Sequence, residues 1–165
     1  MPTARVIDNP ISGERIVFQA TASETAGELL AFEVFLPPGG HVPAGHSHPV
    51  QEERFTILDG QLRFRLGWRT RLASRGDTVV VPPGTVHWFG NPGRAVAHAR
   101  VEVRPALRME ELLASSERLA GPGRLRRLVD LARLLLEFER ELAIPVIPPF
   151  VARLVLAPLA RLGRP

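Results

Sequence analysis

The sequence of 165 residues contains no cysteine and no lysine, so all 21 basic residues are arginine. The lack of cysteine excludes disulfide bonds, zinc–thiolate sites and thiol catalysis. The first ten residues, MPTARVIDNP, also lack the apolar segment of a signal peptide. From these absences we expect a cytoplasmic protein whose chemistry depends on side chains other than thiols.

The charge of the chain is spread thinly along its length. The net charge is +4, with 11 arginines and 10 acidic residues in residues 1–104 and 10 arginines and seven acidic residues in residues 105–165. Neither part has the dense basic patch that nucleic-acid binding usually requires. The sequence therefore predicts no nucleic-acid partner.

Residues 1–104 combine short apolar runs with turn-forming segments. Runs such as RIVFQA, LLAFEVFL and DTVVVP are separated by segments such as NPISG, PPGG and NPG. This spacing is typical of a β-sandwich or a β-barrel. Asp59-Gly60 is the strongest hairpin signal because both residues tolerate positive φ. We therefore expect a mainly β domain that covers residues 1–104.

The pattern of residues 105–165 instead predicts helices. In RLRRLVDLARLLLEFEREL, charged residues follow one stripe at alternating spacings of four and three, and leucine, valine and phenylalanine form the other face. Four prolines and Arg153 interrupt the apolar run 144–162, which argues against a membrane span but leaves shallow membrane attachment open. Because so much apolar surface must be covered, we expect a C-terminal helical extension that packs on the barrel or builds a homodimer.

Three of the five histidines lie within eight residues of one another. Alternate side chains of a β-strand share a face, so His46 and His48 can aim two imidazoles in the same direction, about 6–7 Å apart. Glu53 can return a carboxylate to the same point, and His87 completes the set if its strand crosses beside the first. Such a set suits Fe, Mn, Ni, Co, Zn or Cu and leaves open positions for catalysis.

The two segments that carry these residues resemble the paired signatures of the cupin superfamily. The first signature contains a glycine, an H-x-H pair, a glutamate and a second glycine, and it is matched by Gly40, His46, His48, Glu53 and Gly60. The second contains a glycine, a P-x-G turn, a histidine and an asparagine, and it is matched by Gly76, Pro82, Gly84, His87 and Asn91. The 15 residues between them are near the short end for this superfamily.

The resemblance covers roughly residues 28–104 and implies a single cupin domain, a double-stranded β-helix or jelly-roll barrel. It implies one divalent transition metal just inside the open end of the barrel. The implied ligands are His46, His48, Glu53 and His87. The superfamily includes dioxygenases, isomerases, decarboxylases and lyases, as well as proteins that only bind small molecules.

Two alternatives concern the ligand set itself. The chain can be a cupin that has kept these residues but works without a metal. Glu52 can also replace Glu53, since the superfamily allows three or four residues after the H-x-H pair. Only Glu53 leaves six residues before Gly60, so we favour it.

Other positions also keep two interpretations. His41 is expected at the rim of the barrel and not as a further ligand. His98 can line the pocket as an acid–base group or point to solvent. Strand parity directs Phe55, Ile57 and Phe89 inward, either as walls of a substrate pocket or as plain barrel core.

Two functions fit this sequence. The first is a metal-dependent enzyme of small-molecule metabolism, such as a dioxygenase or an isomerase. The second is a non-catalytic cupin that binds or senses a small ligand and uses its C-terminal helices for oligomer or partner contacts. One barrel with one metal site does not choose between them.

Overall fold

The computed structural model describes residues 5–42, 44–116, 119, 122–145 and 149–161, and for residues 149–153 it describes the backbone alone. Within this part of the chain, strands come first and helices follow. The strands are β1 (Val6–Asp8), β2 (Arg15–Ala20), β3 (Leu30–Leu36), β4 (Glu52–Asp59), β5 (Gln61–Leu66), β6 (Arg69–Ser74), β7 (Thr78–Val81), β8 (His87–Gly90) and β9 (Ala97–Arg104). The helices are α1 (Met109–Ser115), α2 (Arg124–Glu137) and α3 (Pro149–Arg161).

The strands form two antiparallel sheets around one apolar core. The six-stranded sheet has the order β1-β2-β3-β9-β4-β7, and the three-stranded sheet has the order β6-β5-β8. Phe55 of the first sheet meets Phe64 and Phe89 of the second at ring-centroid distances of 5.0 Å. The mainly β architecture expected from the sequence is therefore confirmed.

Strand alternation decides which side chains reach the interior. In β4, Glu53, Phe55 and Ile57 are buried, and the residues between them are half-buried. In β9, Ala99 and Val101 are buried in the same way. Because side chains alternate with a period of two, Glu53 lies on the same face of β4 as Phe55 and Ile57, and its carboxylate points to the interior with them.

The prediction of a hairpin at Asp59-Gly60 is wrong. The strand before it, β4, pairs with β7 and β9, whereas the strand after it, β5, pairs with β6 and β8. At Gly60 the chain therefore crosses from one sheet to the other. It has a φ of 70°, and a Cβ atom there would lie 3.0 Å from the Cα of Ala97. The glycine signal was right about the backbone conformation, but local sequence does not reveal which strands pair.

Helices α1 and α2 pack on the barrel. Met109 and Leu112 from α1, Leu134 from α2 and Phe138 just after it belong to the same buried cluster as the barrel residues. Helix α2 also packs against α3. Packing on the barrel, one of the two arrangements expected for the extension, is therefore observed.

Helix α2 has the predicted amphipathic pattern. Val129 and Ala132 are buried, while Arg126 and Arg133 each approach Asp130 at 3.7 Å on the polar side. Among the described residues, no helix combines the length and apolar character that crossing a membrane needs.

Candidate metal centre

Backbone pairing brings two of the candidate histidines side by side. His46 follows β3 and His87 begins β8, and the two residues exchange backbone hydrogen bonds of 3.0 and 2.8 Å. His48 lies two residues further along the same bridge-forming segment, and its ring is 5.0 Å from that of His46. One nitrogen from each of the three rings lies within 4.8 Å of the others, so the three histidines could hold one metal ion.

The second nitrogen of each ring faces a backbone carbonyl. The Nδ1 atoms of His46, His48 and His87 lie 3.1, 2.6 and 3.2 Å from the carbonyl oxygens of Ala44, Glu141 and Thr85. A carbonyl oxygen only accepts hydrogen bonds, so each Nδ1 carries the proton and donates it. In the neutral form of each ring, the lone pair is then on Nε2, the nitrogen that is free to bind a metal.

Glu53 lies against the same group. Its Oε2 is 3.0 Å from Nε2 of His87 and 3.5 Å from Nε2 of His48. Its neighbour Glu52 is half-buried and approaches Arg54 at 3.3 Å. Adjacent residues of a strand face opposite ways, so of the two glutamates only Glu53 joins the histidines.

These groups determine the protonation of one another. Burial and the two neighbouring imidazoles lower the pKa of His46 to about 4. Burial acts to lower the pKa of His48, but Glu53 and the Glu141 carbonyl outweigh it and raise that pKa. Burial acts to raise the pKa of Glu53, but His48 and His87 outweigh it and hold the pKa well below its usual range. The cluster is thus an anionic carboxylate among imidazoles.

The donor set fits a divalent transition metal. His48 Nε2 is buried and makes no hydrogen bond within the described part of the chain. Leaving such a group without a partner costs about 1–3 kcal/mol, which a bound cation would recover. Neutral imidazoles with one carboxylate suit Fe, Mn, Co, Ni, Zn or Cu.

A cavity of about 340 Å³ adjoins the cluster, and His46, His48 and Glu53 form part of its wall. Most of the remaining wall is apolar and comes from both parts of the chain. Its apolar residues include Ile16, Phe55 and Phe89 of the barrel, and Met109, Leu134 and Leu142 of the extension. The volume falls in the range of small-molecule sites.

The other residues singled out from the sequence lie in different places. Phe55 and Phe89 line the cavity, whereas Ile57 is packed in the core outside it. His41 is exposed, and its Nδ1 lies 2.9 Å from the carbonyl of Val42.

Of the two positions that the sequence left open for His98, the structure supports the one outside the cavity. It alternates with Val101 across the two faces of β9, and Val101 is the residue on the cavity side. Its Nε2 is 2.9 Å from Oε2 of Glu33, and its ring stacks on Phe35. This position argues against an acid–base role for His98 in the pocket.

Sequence reasoning missed two contributions to the site. Glu14, just before β2, is 7% exposed and lines the cavity. Burial raises the pKa of Glu14, and hydrogen bonds from Asn9 and Ser12 partly offset this. The alternation of Glu14 with buried Ile16 was a signal that could have found it. The second contribution is the carbonyl of Glu141, which has no sequence signal because every residue carries one.

Comparisons with known proteins agree with this geometry. Residues 32–103 match the sequence model of a family described as the cupin domain. No curated protein matches the chain in sequence. Many solved structures share its fold, and they include the three that follow. An RmlC-like cupin from Shewanella frigidimarina has a TM-score of 0.56 and 16% identity, with 65% of this chain and 88% of that chain covered.

The second structure is a predicted oxalate decarboxylase from Thermotoga maritima, with a TM-score of 0.54, 21% identity, and 62% of this chain and 92% of that chain covered. The third is KdgF from Halomonas sp., with a TM-score of 0.54, 19% identity, and 61% and 87% covered. At these identities the likeness shows the fold alone, which is the jelly-roll barrel expected from the two signatures. Residues 32–103 of this chain therefore form a cupin domain.

Proposed function

We propose that this chain is a metal-dependent enzyme that acts on a small molecule held in the cavity. The ligands of one divalent transition metal are His46, His48, His87 and Glu53. The observation that carries the proposal is the convergence of three imidazole nitrogens within 4.8 Å, beside a buried carboxylate and at the wall of a cavity.

Each residue has a task that follows from its surroundings. The three Nδ1–H groups hold the rings through backbone carbonyls, so little reorganisation is needed on metal binding. The negative charge of Glu53 offsets part of the charge of the cation. A bound metal supplies Lewis-acid or redox chemistry to a substrate oxygen or to O₂. The apolar walls exclude water, which strengthens electrostatic interactions at the metal.

The reaction class that we propose is a dioxygenase or an isomerase. Turnover of metal-restored protein tests this. Chelator-treated protein is loaded separately with Fe, Mn, Co, Ni, Zn or Cu and given hydroxy acids, diketones, phenols and sugars. Consumption of O₂ would identify a dioxygenase, and formation of an isomer without O₂ would identify an isomerase. His87→Ala should abolish turnover and His98→Ala should retain it. No turnover with any metal and substrate would overturn the enzymatic proposal.

A second candidate is a ligand-binding or sensing cupin whose helices contact a partner or a second copy. The observation that favours it is the apolar surface on the extension, where Leu125 and Leu154 are 64% and 76% exposed. In this account, residues 1–104 form the barrel and residues 105–165 form an interaction element. The cytoplasmic location and the homodimer remain part of the proposal under either function.

A further inference from the structure

The walls of the cavity limit what can bind beside the metal centre. None of its described lining residues is an arginine, although the chain contains 21 basic residues, all of them arginine. Proteins often recognise carboxylates and phosphates through arginine, whose guanidinium group can make two parallel hydrogen bonds to them. The described part of the walls therefore offers an anionic ligand no arginine, which disfavours dicarboxylates and sugar phosphates.

The neutral polar groups of the wall are already in use. Asn9 Nδ2 donates to Oε1 of Glu14 at 3.0 Å, and Asn9 Oδ1 accepts from the backbone N–H of Ile11 at 3.0 Å. Ser116 Oγ donates to the carbonyl of Leu113 at 2.7 Å. A sugar with many hydroxyl groups would lose hydrogen bonds to water in this cavity without replacing them.

Glu14 is the exception among these polar residues. Hydrogen bonds from Asn9 and Ser12 leave capacity on its carboxyl group, which has about four acceptor positions when ionised. Glu14 directly precedes β2, which is separated from β4, the strand of Glu53, by β3 and β9 in the sheet. The cavity therefore has two polar sites, the metal centre and Glu14, in a mostly apolar wall.

We propose that the ligand is an uncharged, largely apolar molecule with an oxygen for the metal centre at one end and a hydroxyl group that donates to Glu14 at the other. This inference rests on the proposed metal site and names the substrate class for it. An apolar cavity of about 150 Å³ takes benzene, and the volume here is about 340 Å³. The ligand is thus about the size of two fused six-membered rings.

Three probes of equal ring size test this class. They are a naphthalenediol, its dimethyl ether and the naphthalenedicarboxylate with the same substitution pattern. Binding is measured by calorimetry on the full chain, with zinc and without it, and the zinc content of each sample is determined. We expect the diol to bind about tenfold more tightly than the dimethyl ether, which keeps both oxygens but has no hydroxyl to donate to Glu14, and the dicarboxylate to bind more weakly than both.

Two substitutions locate the contacts. Glu14→Gln, which replaces the carboxyl group by an amide that is a weaker acceptor than a carboxylate, should reduce the preference for the diol over the ether while the zinc content stays unchanged. Glu28→Gln, at an exposed glutamate, should leave that preference intact. Leu113→Trp, which fills the cavity from α1, should weaken binding of every probe. This second variant and the probe preference of the unaltered protein decide the matter if Glu14→Gln does not fold.

Three results would overturn the inference. They are a dicarboxylate that binds at least as tightly as the diol, an unchanged diol preference in Glu14→Gln, or unchanged binding in Leu113→Trp. These failures differ from failure of the proposed function. A chain that takes up no zinc refutes the metal site, whereas a Glu14-dependent preference measured without zinc still supports the substrate class.

Discussion

The Nδ1–H of His48 donates to the backbone carbonyl of Glu141 across 2.6 Å. His48 precedes the barrel strand β4, and Glu141 follows helix α2, so this bond joins a candidate metal ligand to the C-terminal extension. Ser47 and Ala143 reinforce it by exchanging two backbone hydrogen bonds of 2.9 Å. The extension therefore orients one histidine of the candidate site in addition to covering apolar surface.

The first prediction concerns this connection. Ala143→Pro removes the N–H that donates to Ser47, so the segment around Glu141 should hold His48 less firmly. We expect zinc affinity to fall about tenfold, as happens when outer partners of metal ligands are lost. Ala143→Ser keeps the N–H and should bind zinc like the unaltered chain. Competition with a chelating dye measures the affinities, and equal values for all three proteins would refute the coupling.

The second prediction concerns the stability that the extension contributes. Phe138 is fully buried, and the guanidinium of Arg108 lies 4.7 Å from its ring centroid. Phe138→Ala should lower the free energy of unfolding by about 3–5 kcal/mol, measured in urea. Leu128→Ala, at a residue 49% exposed, should change it by less than about 0.5 kcal/mol. If both substitutions had the same small effect, the packing of the helix end on the barrel would be contradicted.

The third prediction is a pH dependence of metal affinity. Below its raised pKa, His48 carries a proton that the metal must displace, so affinity should rise with pH through that pKa. His46, with a pKa of about 4, is already neutral near pH 7 and adds nothing there. Zinc affinity measured from about pH 6 to about pH 8 should therefore increase. A flat profile over this interval would show that His48 does not bind the metal.

The fourth prediction concerns the homodimer. Leu125 and Leu154 expose 64% and 76% of their surface on α2 and α3. If these helices form the dimer contact, Leu125→Glu combined with Leu154→Glu should halve the mass measured by light scattering. Trp68→Glu is the matched control, because Trp68 is 95% exposed but lies on the turn between β5 and β6. A monomeric unaltered chain, or a mass that the double substitution leaves unchanged, would rule out this interface.

The sequence was sufficient for those parts of the site that depend on side-chain identity at fixed spacing. The alternation of β4 separates Glu53 from Glu52, and the two signatures bring His46 and His87 to one point. The same alternation in β9 predicts that His98 points away from the cavity, but only when the register of β9 against its neighbouring strands is known. Register is set by pairing with β3 and β4, which are distant in sequence.

The rest of the site depends on contacts that local sequence does not encode. The carbonyl of Glu141 is a backbone group, and its place beside His48 follows from how α2 packs on the barrel. Gly60 indicates a turn, but whether the turn joins paired strands or two sheets is decided by long-range pairing. The alternation of Glu14 with Ile16 indicates its direction, but the cavity that it lines is completed by residues of α1 and α2, which are distant in sequence.

The most direct test of the central claim is the metal content of the protein purified without a histidine tag. Elemental mass spectrometry should find about one transition-metal ion per chain after reconstitution. His46→Ala and His87→Ala should lose it, while His41→Ala and His98→Ala, which remove histidines outside the cluster, should retain it. No metal in the unaltered chain, or a content that His46→Ala and His87→Ala leave unchanged, would contradict the proposed centre.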